Sequence, residues 1–241
     1  VILNSDEEVG SRTSRSLIEE EARQSDMVFV LEPPLSPSGA VKTSRKGVGG
    51  FQVKIRGRAA HAGVDPGIGA SAVQELAHQI LKLHGFTDLE SGTTVNVGVV
   101  SGGIRANVVA DFAQAHVDLR VSSLEEGEKV VKEILSLKPI LPGVEIEVTG
   151  GLNRPPMVRT PQIAALYEGA RRVASELGLD LPEGSTGGGS DGNFTAALGV
   201  PTLDGLGAMG HGAHATHEHI VIEKLPQRTA LLASLLCRLG A

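Results

Sequence analysis

The sequence predicts an α/β protein in which a second, smaller α/β domain is inserted into the first. Three observations predict it. Short apolar runs ending in acids or glycines alternate with amphipathic helical stretches at both ends of the chain. Between them, residues 45–157 read in the order β-α-β-β-α-β, the split unit of a ferredoxin-like layer with helices on one face. Beyond Arg154-Pro155-Pro156 the first pattern returns. The expected division is therefore residues 1–44 and 158–241 for the outer domain, with 45–157 inserted.

Taken in order, Val1-Ile2-Leu3 reads as the end of a buried strand running into Asn4-Ser5-Asp6-Glu7-Glu8-Val9-Gly10. Arg12 to Gln24 reads as a helix carrying Leu17, Ile18 and Ala22, with Glu19, Glu20 and Glu21 on a solvated face. Asp26 to Leu31 is a short buried strand closed by Glu32-Pro33-Pro34, since proline cannot continue a central ladder. Pro37 to Arg45 reads as a linker.

In the insertion, Phe51, Val53 and Ile55 alternate with Gln52, Lys54 and Arg56, the signature of a half-buried strand. Ser71 to Leu83 spaces Val73, Leu76, Ala77, Ile80 and Leu83 as a helix, and Thr93 to Val100 follows as a strand. Ala113 to Val121 alternates again, Leu124 to Leu137 is helical, and Val144 to Val148 is the fourth strand. In the returning segment, Pro161 to Leu177 is an amphipathic helix leading to the cluster Gly187-Gly188-Gly189-Ser190-Asp191-Gly192. The strand Val200 to Leu206 runs into a tract holding His211, His214, His217 and His219, and a helix from Leu225 to Leu239 closes the chain.

Composition excludes several classes of function. Aromatic residues make up 2% of the 241, with no Trp, so stacking platforms for single-stranded nucleic acid are poorly supplied. A net charge of −6 argues against nucleic-acid and anionic-membrane partners, and no run approaches the length of a membrane span. The single cysteine, Cys237, falls on the apolar face of the last helix, and no disulfide can form within the chain. A cytoplasmic location is expected, in a chain that opens on Val1 without a start methionine and reads as a fragment.

Acids at the carboxyl ends of strands are where open α/β sheets place ligands. Two adjacent carboxylates there can divide labour, one holding a metal while the other moves a proton. The competing account of Asp6, Glu7 and Glu8 is an acidic first helical turn, stabilised by the helix dipole. Glu8, Glu32 and His214 each follow a short apolar run, and their oxygen and nitrogen donors suit Zn²⁺. No H-E-x-x-H is present, because Ile220 and Val221 follow His217-Glu218-His219. His78, His84 and His116 read as structural or surface residues. Gly188-Gly189-Ser190-Asp191-Gly192 fits the nucleophile elbow G-x-S-x-G, with Asp204 and His214 following in hydrolase order, but Leu181 to Thr186 is a poor strand to precede it. Gly187, Gly189 and Gly192 also fit a dinucleotide fingerprint, again without a good strand. A backbone wall open to substrate is the better use of Gly188 and Gly189. The sequon at Asn193 is discounted.

The motifs Asn4 to Gly10, Leu31-Glu32-Pro33, Gly57 to Gly63, Ala106 to Asp111, Asp118-Leu119-Arg120, Gly187 to Asp191 and Gly212-Ala213-His214 with Glu218 together resemble the di-zinc amidohydrolase and exopeptidase family. That family includes glutamate carboxypeptidase, acetylornithine deacetylase, succinyl-diaminopimelate desuccinylase and aminoacylase, and the likeness is greatest to the glutamate carboxypeptidase branch. The resemblance implies an α/β zinc-exopeptidase catalytic domain, incomplete at its N-terminus, with the insertion as lid and dimerisation domain. It implies Glu7 as general base, Glu8, Glu32 and His214 as metal ligands, and His61 as a lid residue that reaches the partner subunit's site and stabilises the oxyanion. Asn107, Arg120 and Arg154 would hold substrate, Arg120 by a bidentate grip on a free carboxylate. The family's other two ligands, a histidine and a bridging aspartate, precede the acidic stretch, so two zinc ions are expected in a complete protein and one or none in these residues alone. The implied activity is hydrolysis of an amide beside a free carboxylate, with peptides or N-acyl amino acids as substrates and a homodimer as the assembly. An N-acyl amino-acid deacylase and a non-catalytic dimeric module are the alternatives.

Overall fold

Strand pairing and burial in the computed structural model, which describes residues 1–240, divide the chain into two units. One comprises Val1–Lys46 and the segment from Arg154, the other Gly47–Asn153. The sequence placed these borders at 44/45 and 157/158.

The first unit opens differently from expectation. Val1 and Leu3 are exposed and no strand forms there, because a strand needs a neighbour to accept its ladder and none pairs with this run among the described residues. Glu7–Val9 makes a single 3₁₀ turn closed by Gly10 at φ 92°. The following helix, α1, spans Arg15–Arg23 and buries Ile18 and Ala22. It starts late because Asp6 gathers the preceding residues: its carboxylate accepts from Thr13 N at 2.8 Å, Thr13 Oγ1 at 2.7 Å and Ser14 Oγ at 2.5 Å. Those bonds, Ser14's hydroxyl foremost, hold the Asp6 carboxyl well below the usual carboxylate range. The first of the three acids is therefore a loop anchor.

β1 (Val28–Phe29) lies parallel to a later strand, and β2 (Val41–Arg45) does the same with another. The existence of β2 corrects the linker expected at 37–45. Its buried side chains include Lys42, Thr43 and Arg45, so the hydrophobic pattern that reveals most strands is absent from it.

The second unit begins with β3 (Gly47–Arg56), followed by α2 (Ala72–His84), β4 (Thr94–Gly102), β5 (Phe112–Val121), α3 (Leu124–Leu135) and β6 (Glu145–Arg154). The four strands form one sheet in the order β4-β5-β3-β6, with β5 antiparallel to both β3 and β4. This is the split β-α-β topology expected from the sequence. Val53, Ile55, Ala115, Val117 and Leu119 share a core with Leu76, Leu83, Val130 and Ile134. On the opposite face Gln52 pairs with Gln114 at 3.4 Å. Ser71 and Ser123 cap the two helices by accepting from Gln74 N and Glu126 N. The buried face of α2 differs from the expected one: Val73 is 45% exposed, while Glu75 and Gln79 are fully buried. Glu75 accepts from the backbone N–H of Ile140 and Leu141 and from Gln79, which satisfies it in the interior.

The chain then returns to the first unit through α4 (Pro161–Glu176), β7 (Glu183–Thr186), α5 (Gly192–Ala197), β8 (Thr202–Leu203), β9 (Gly210–His211), β10 (His219–Ile220) and α6 (Leu225–Leu239). β7 is the partner of β2 and β8 the partner of β1, while β9 and β10 form an antiparallel hairpin. The core here is Val41, Leu166, Tyr167, Ala170, Val173, Leu203, Leu231 and Leu235. Cys237 is exposed, so it does not lie on the packed face of α6, which turns Arg228, Leu231 and Leu235 inward.

Candidate active site

Glu7 sits in the 3₁₀ turn with its carboxylate against Arg154, whose Nη2 donates to Glu7 Oε1 at 2.8 Å and to the Glu7 carbonyl at 3.0 Å. The same nitrogen donates to Asp191 Oδ1 at 3.0 Å and Ser11 Oγ at 3.2 Å, and the guanidinium lies 5.4 Å from the centre of the Phe194 ring. Asn4 secures the other oxygen of Asp191 at 2.6 Å. Burial pushes the Glu7 carboxyl up from its ordinary value. Arg154 opposes the shift, and the charges of Glu32, Asp191 and Glu8 add to it. Arg154 is thus turned toward Glu7 and Asp191, with its side chain only 9% exposed.

Glu8 and His214 meet, with Oε2 and Nδ1 3.7 Å apart. His214 lies at φ 63°, a left-handed conformation that a non-glycine residue seldom adopts, in the loop joining β9 to β10. Two contacts of about 2.0–2.2 Å to one ion would span such a gap, so the pair fits two positions of a divalent-cation shell. Glu32 follows β1. The chain there is approached so closely by Gly207, whose N–H donates to the Glu32 carbonyl at 2.9 Å, that a Cβ on Gly207 would stand 2.1 Å from the Leu31 oxygen. Burial raises the Glu32 carboxyl, with Asp204 and Glu8 adding to it and Arg45 and Lys42 opposing. Among the described residues, however, no group of three His, Cys, Asp or Glu side chains closes on a common point. A catalytic zinc takes three protein ligands, and the Glu8–His214 pair offers two donors.

Behind Glu32 lies a buried network that sequence reasoning missed. Arg45 Nε and Nη2 donate to the two oxygens of Asp204 at 2.8 and 2.9 Å, and Ser190 Oγ donates to Asp204 at 2.5 Å. Lys42 Nζ stands 4.0 Å from the same carboxylate. Arg45 Nη1 takes the carbonyls of Gly188 and Gly189 at 2.9 and 3.1 Å, so the glycine cluster turns those two oxygens onto Arg45. A strand does precede this cluster, contrary to the reading of 181–186, yet Ser190 is fully buried and bonded to a carboxylate, which is not the exposed serine of a nucleophile elbow. The available signal was Asp204, an acid inside an otherwise apolar run.

Three other expected residues belong to the second unit. His61 bridges Val108, and Ala62 N donates to the Asn107 carbonyl at 3.0 Å, so His61 and Asn107 neighbour each other on exposed loops. Arg120 is elsewhere. It pairs with Val48, while Phe112, where the sheet meets the His61 loop, pairs with Arg56. Eight residues of strand separate the two ends by about 27 Å. Arg120 Nε and Nη2 grip Asp118 at 2.9 Å each, so the bidentate edge expected to meet substrate is turned to a neighbouring carboxylate.

An outer α/β unit with acids at its strand ends and an inserted β-α-β-β-α-β unit is the architecture of a catalytic domain carrying a dimerisation domain. Residues 43–137 match the family model of the peptidase dimerisation domain. The chain is 31% identical over 245 residues to carboxypeptidase G2 of Pseudomonas sp. (strain RS-16), an alignment covering 100% of this chain and 59% of that protein. Aminopeptidase PepT from Bacillus cereus ATCC 10987 superposes with a TM-score of 0.78 at 25% identity, covering 98% of this chain and 63% of PepT. The YXEP protein of Bacillus subtilis, described as a dinuclear metal-binding peptidase from the M20 family, shares the fold with a TM-score of 0.68 at 17% identity over 95% of this chain and 61% of its own. The chain is a homologue of the M20 peptidases, as the motifs implied, and spans between 59% and 63% of the length of these three proteins.

Proposed function

We propose that this chain serves a metal-dependent hydrolase of amide bonds next to a free carboxylate, removing a carboxyl-terminal amino acid such as glutamate. The observation that carries the proposal is the pairing of Glu8 with His214 directly beside a half-buried Glu7 oriented by Arg154. Similarity to carboxypeptidase G2 along the whole of this chain supports the carboxypeptidase reading. Glu8 and His214, with Glu32 nearby, would hold the metal. A bound divalent ion supplies polarisation of the carbonyl and a more acidic water. Glu7, its proton affinity raised by burial, takes a proton from the attacking water and delivers it to the departing amine nitrogen as the C–N bond breaks. Arg154, Ser11, Asn4 and Asp191 hold Glu7 in place for both transfers. The dimerisation domain supports a homodimer. The edge strand β4 and its following turn expose Val99, Val100 and Ile104, apolar surface suited to a second copy.

Glu7→Gln, made in the protein at its natural length, should lower kcat by about 10²–10⁴-fold, the range general-base removal covers, with metal content unchanged. Retained turnover overturns the assignment of the base. Release of free amino acid from dipeptides and N-acyl glutamates, compared with N-acetyl amino acids, tests the carboxypeptidase reading. Preference for the acetylated set would make the enzyme a deacylase.

A further inference from the structure

The hairpin that frames the His214 loop carries two more histidines with no part in the proposed chemistry. His211 and His219 are direct cross-strand partners in the β9/β10 pair, both exposed, with ring centroids 5.7 Å apart and planes inclined by 43°. Directly opposed side chains on an antiparallel pair lie on the same face of the hairpin. His219 Nδ1 is 2.9 Å from the His217 carbonyl, and because a carbonyl can only accept, Nδ1 carries the hydrogen and Nε2 of the neutral ring keeps its lone pair. His211 Nδ1 is 2.8 Å from Ser36 Oγ, a partner that serves either tautomer, so this ring can also present an unprotonated Nε2. Fixing one ring nitrogen by a hydrogen bond so that the other can bind a metal is the usual way a protein orients a histidine ligand.

We infer that His211 and His219 form a second, exposed site for a divalent transition-metal ion, a two-imidazole chelate completed by water, separate from the Glu8–His214 pair. With metal–nitrogen distances near 2.0–2.1 Å, an ion stands about 3.2 Å from each ring centre, so two imidazoles on one ion have centres about 4.5 Å apart at a right angle and about 6.4 Å apart in line. The observed 5.7 Å lies between these limits. Imidazole nitrogen with no thiolate or carboxylate selects ions of the Cu²⁺, Ni²⁺ and Zn²⁺ group, Cu²⁺ most tightly. Because β9 and β10 flank residues 212–218, an ion here closes the base of the loop that presents His214.

The test is titration of the chain with Cu²⁺ alone, followed by calorimetry and by electron paramagnetic resonance, which counts coordinated nitrogens. Coupling to two imidazole nitrogens is expected. His211→Asn and His219→Asn should each weaken that binding by about tenfold or more, since metal sites respond on this scale even to the loss of a supporting hydrogen bond. His214→Ala should leave it in place. Both histidines are exposed on a two-strand hairpin, and a circular dichroism spectrum confirms that each variant is folded. Undiminished two-nitrogen binding in His211→Asn and His219→Asn, or its loss in His214→Ala, would overturn the site and move the ion to Glu8 and His214.

Discussion

The two units are stabilised in different ways. In Gly47–Asn153, the long strands β3 and β5 alternate cleanly, and one apolar core, mostly of Val, Ile, Leu and Ala side chains, holds the helices to the sheet. In the other unit the described strands are two to five residues long, and alongside its apolar core it encloses Arg45, Lys42, Asp204 and Arg154. The difference teaches where each unit is vulnerable. An apolar core loses stability in proportion to the volume removed. A buried charge network fails abruptly when one member is removed, because the remaining charge has no water to turn to.

Asp204→Ala is the sharpest way to break the comparison. It strands Arg45 and orphans Ser190, and should cost about 3–5 kcal/mol in denaturant unfolding. A loss under 1 kcal/mol would mean that the network is hydrated and the contrast false. Glu75→Ala probes a comparable acid of the inserted unit, fully buried and bonded to Ile140 N, Leu141 N and Gln79, and should cost about 2–3 kcal/mol. Burial raises the Glu75 carboxyl, but its hydrogen bonds from Gln79, Leu141 and Ile140 prevail, and its value is depressed below the ordinary 4.5. Its stabilisation is therefore complete above the unfolded value and lost as pH falls through the lower folded one. The gap between wild type and Glu75→Ala should accordingly close in acid melts, and a gap that widened instead would refute the sign. Arg159→Ala, which removes an exposed pair with Glu183, should leave the melting temperature unchanged within error.

The inserted unit was legible because β3 and β5 each bury one face only, so Phe51, Val53 and Ile55 announce the period directly. Its helix α2 was misread at Val73 and Glu75, since an acid counts as polar in any pattern although backbone N–H donors satisfy this one in the interior. β2 was illegible for the same reason on a larger scale: Lys42 and Arg45 are buried only because Asp204, some 160 positions away, meets them. The acidic stretch stood out in the sequence, but not the partner that each of its acids takes. Asp6 anchors Thr13 and Ser14, Glu7 faces Arg154, and Glu8 faces His214.

By itself the sequence determined the inserted β-α-β-β-α-β unit, most of the helices and the family motifs, because these depend on local periodicity and on short runs of residues. Only the tertiary structure decided which charges meet. Arg154 was turned onto Glu7 and Arg45 onto Asp204 by strand pairing and burial. The partner of a buried charge is chosen by distance in space, and no spacing along a chain encodes that.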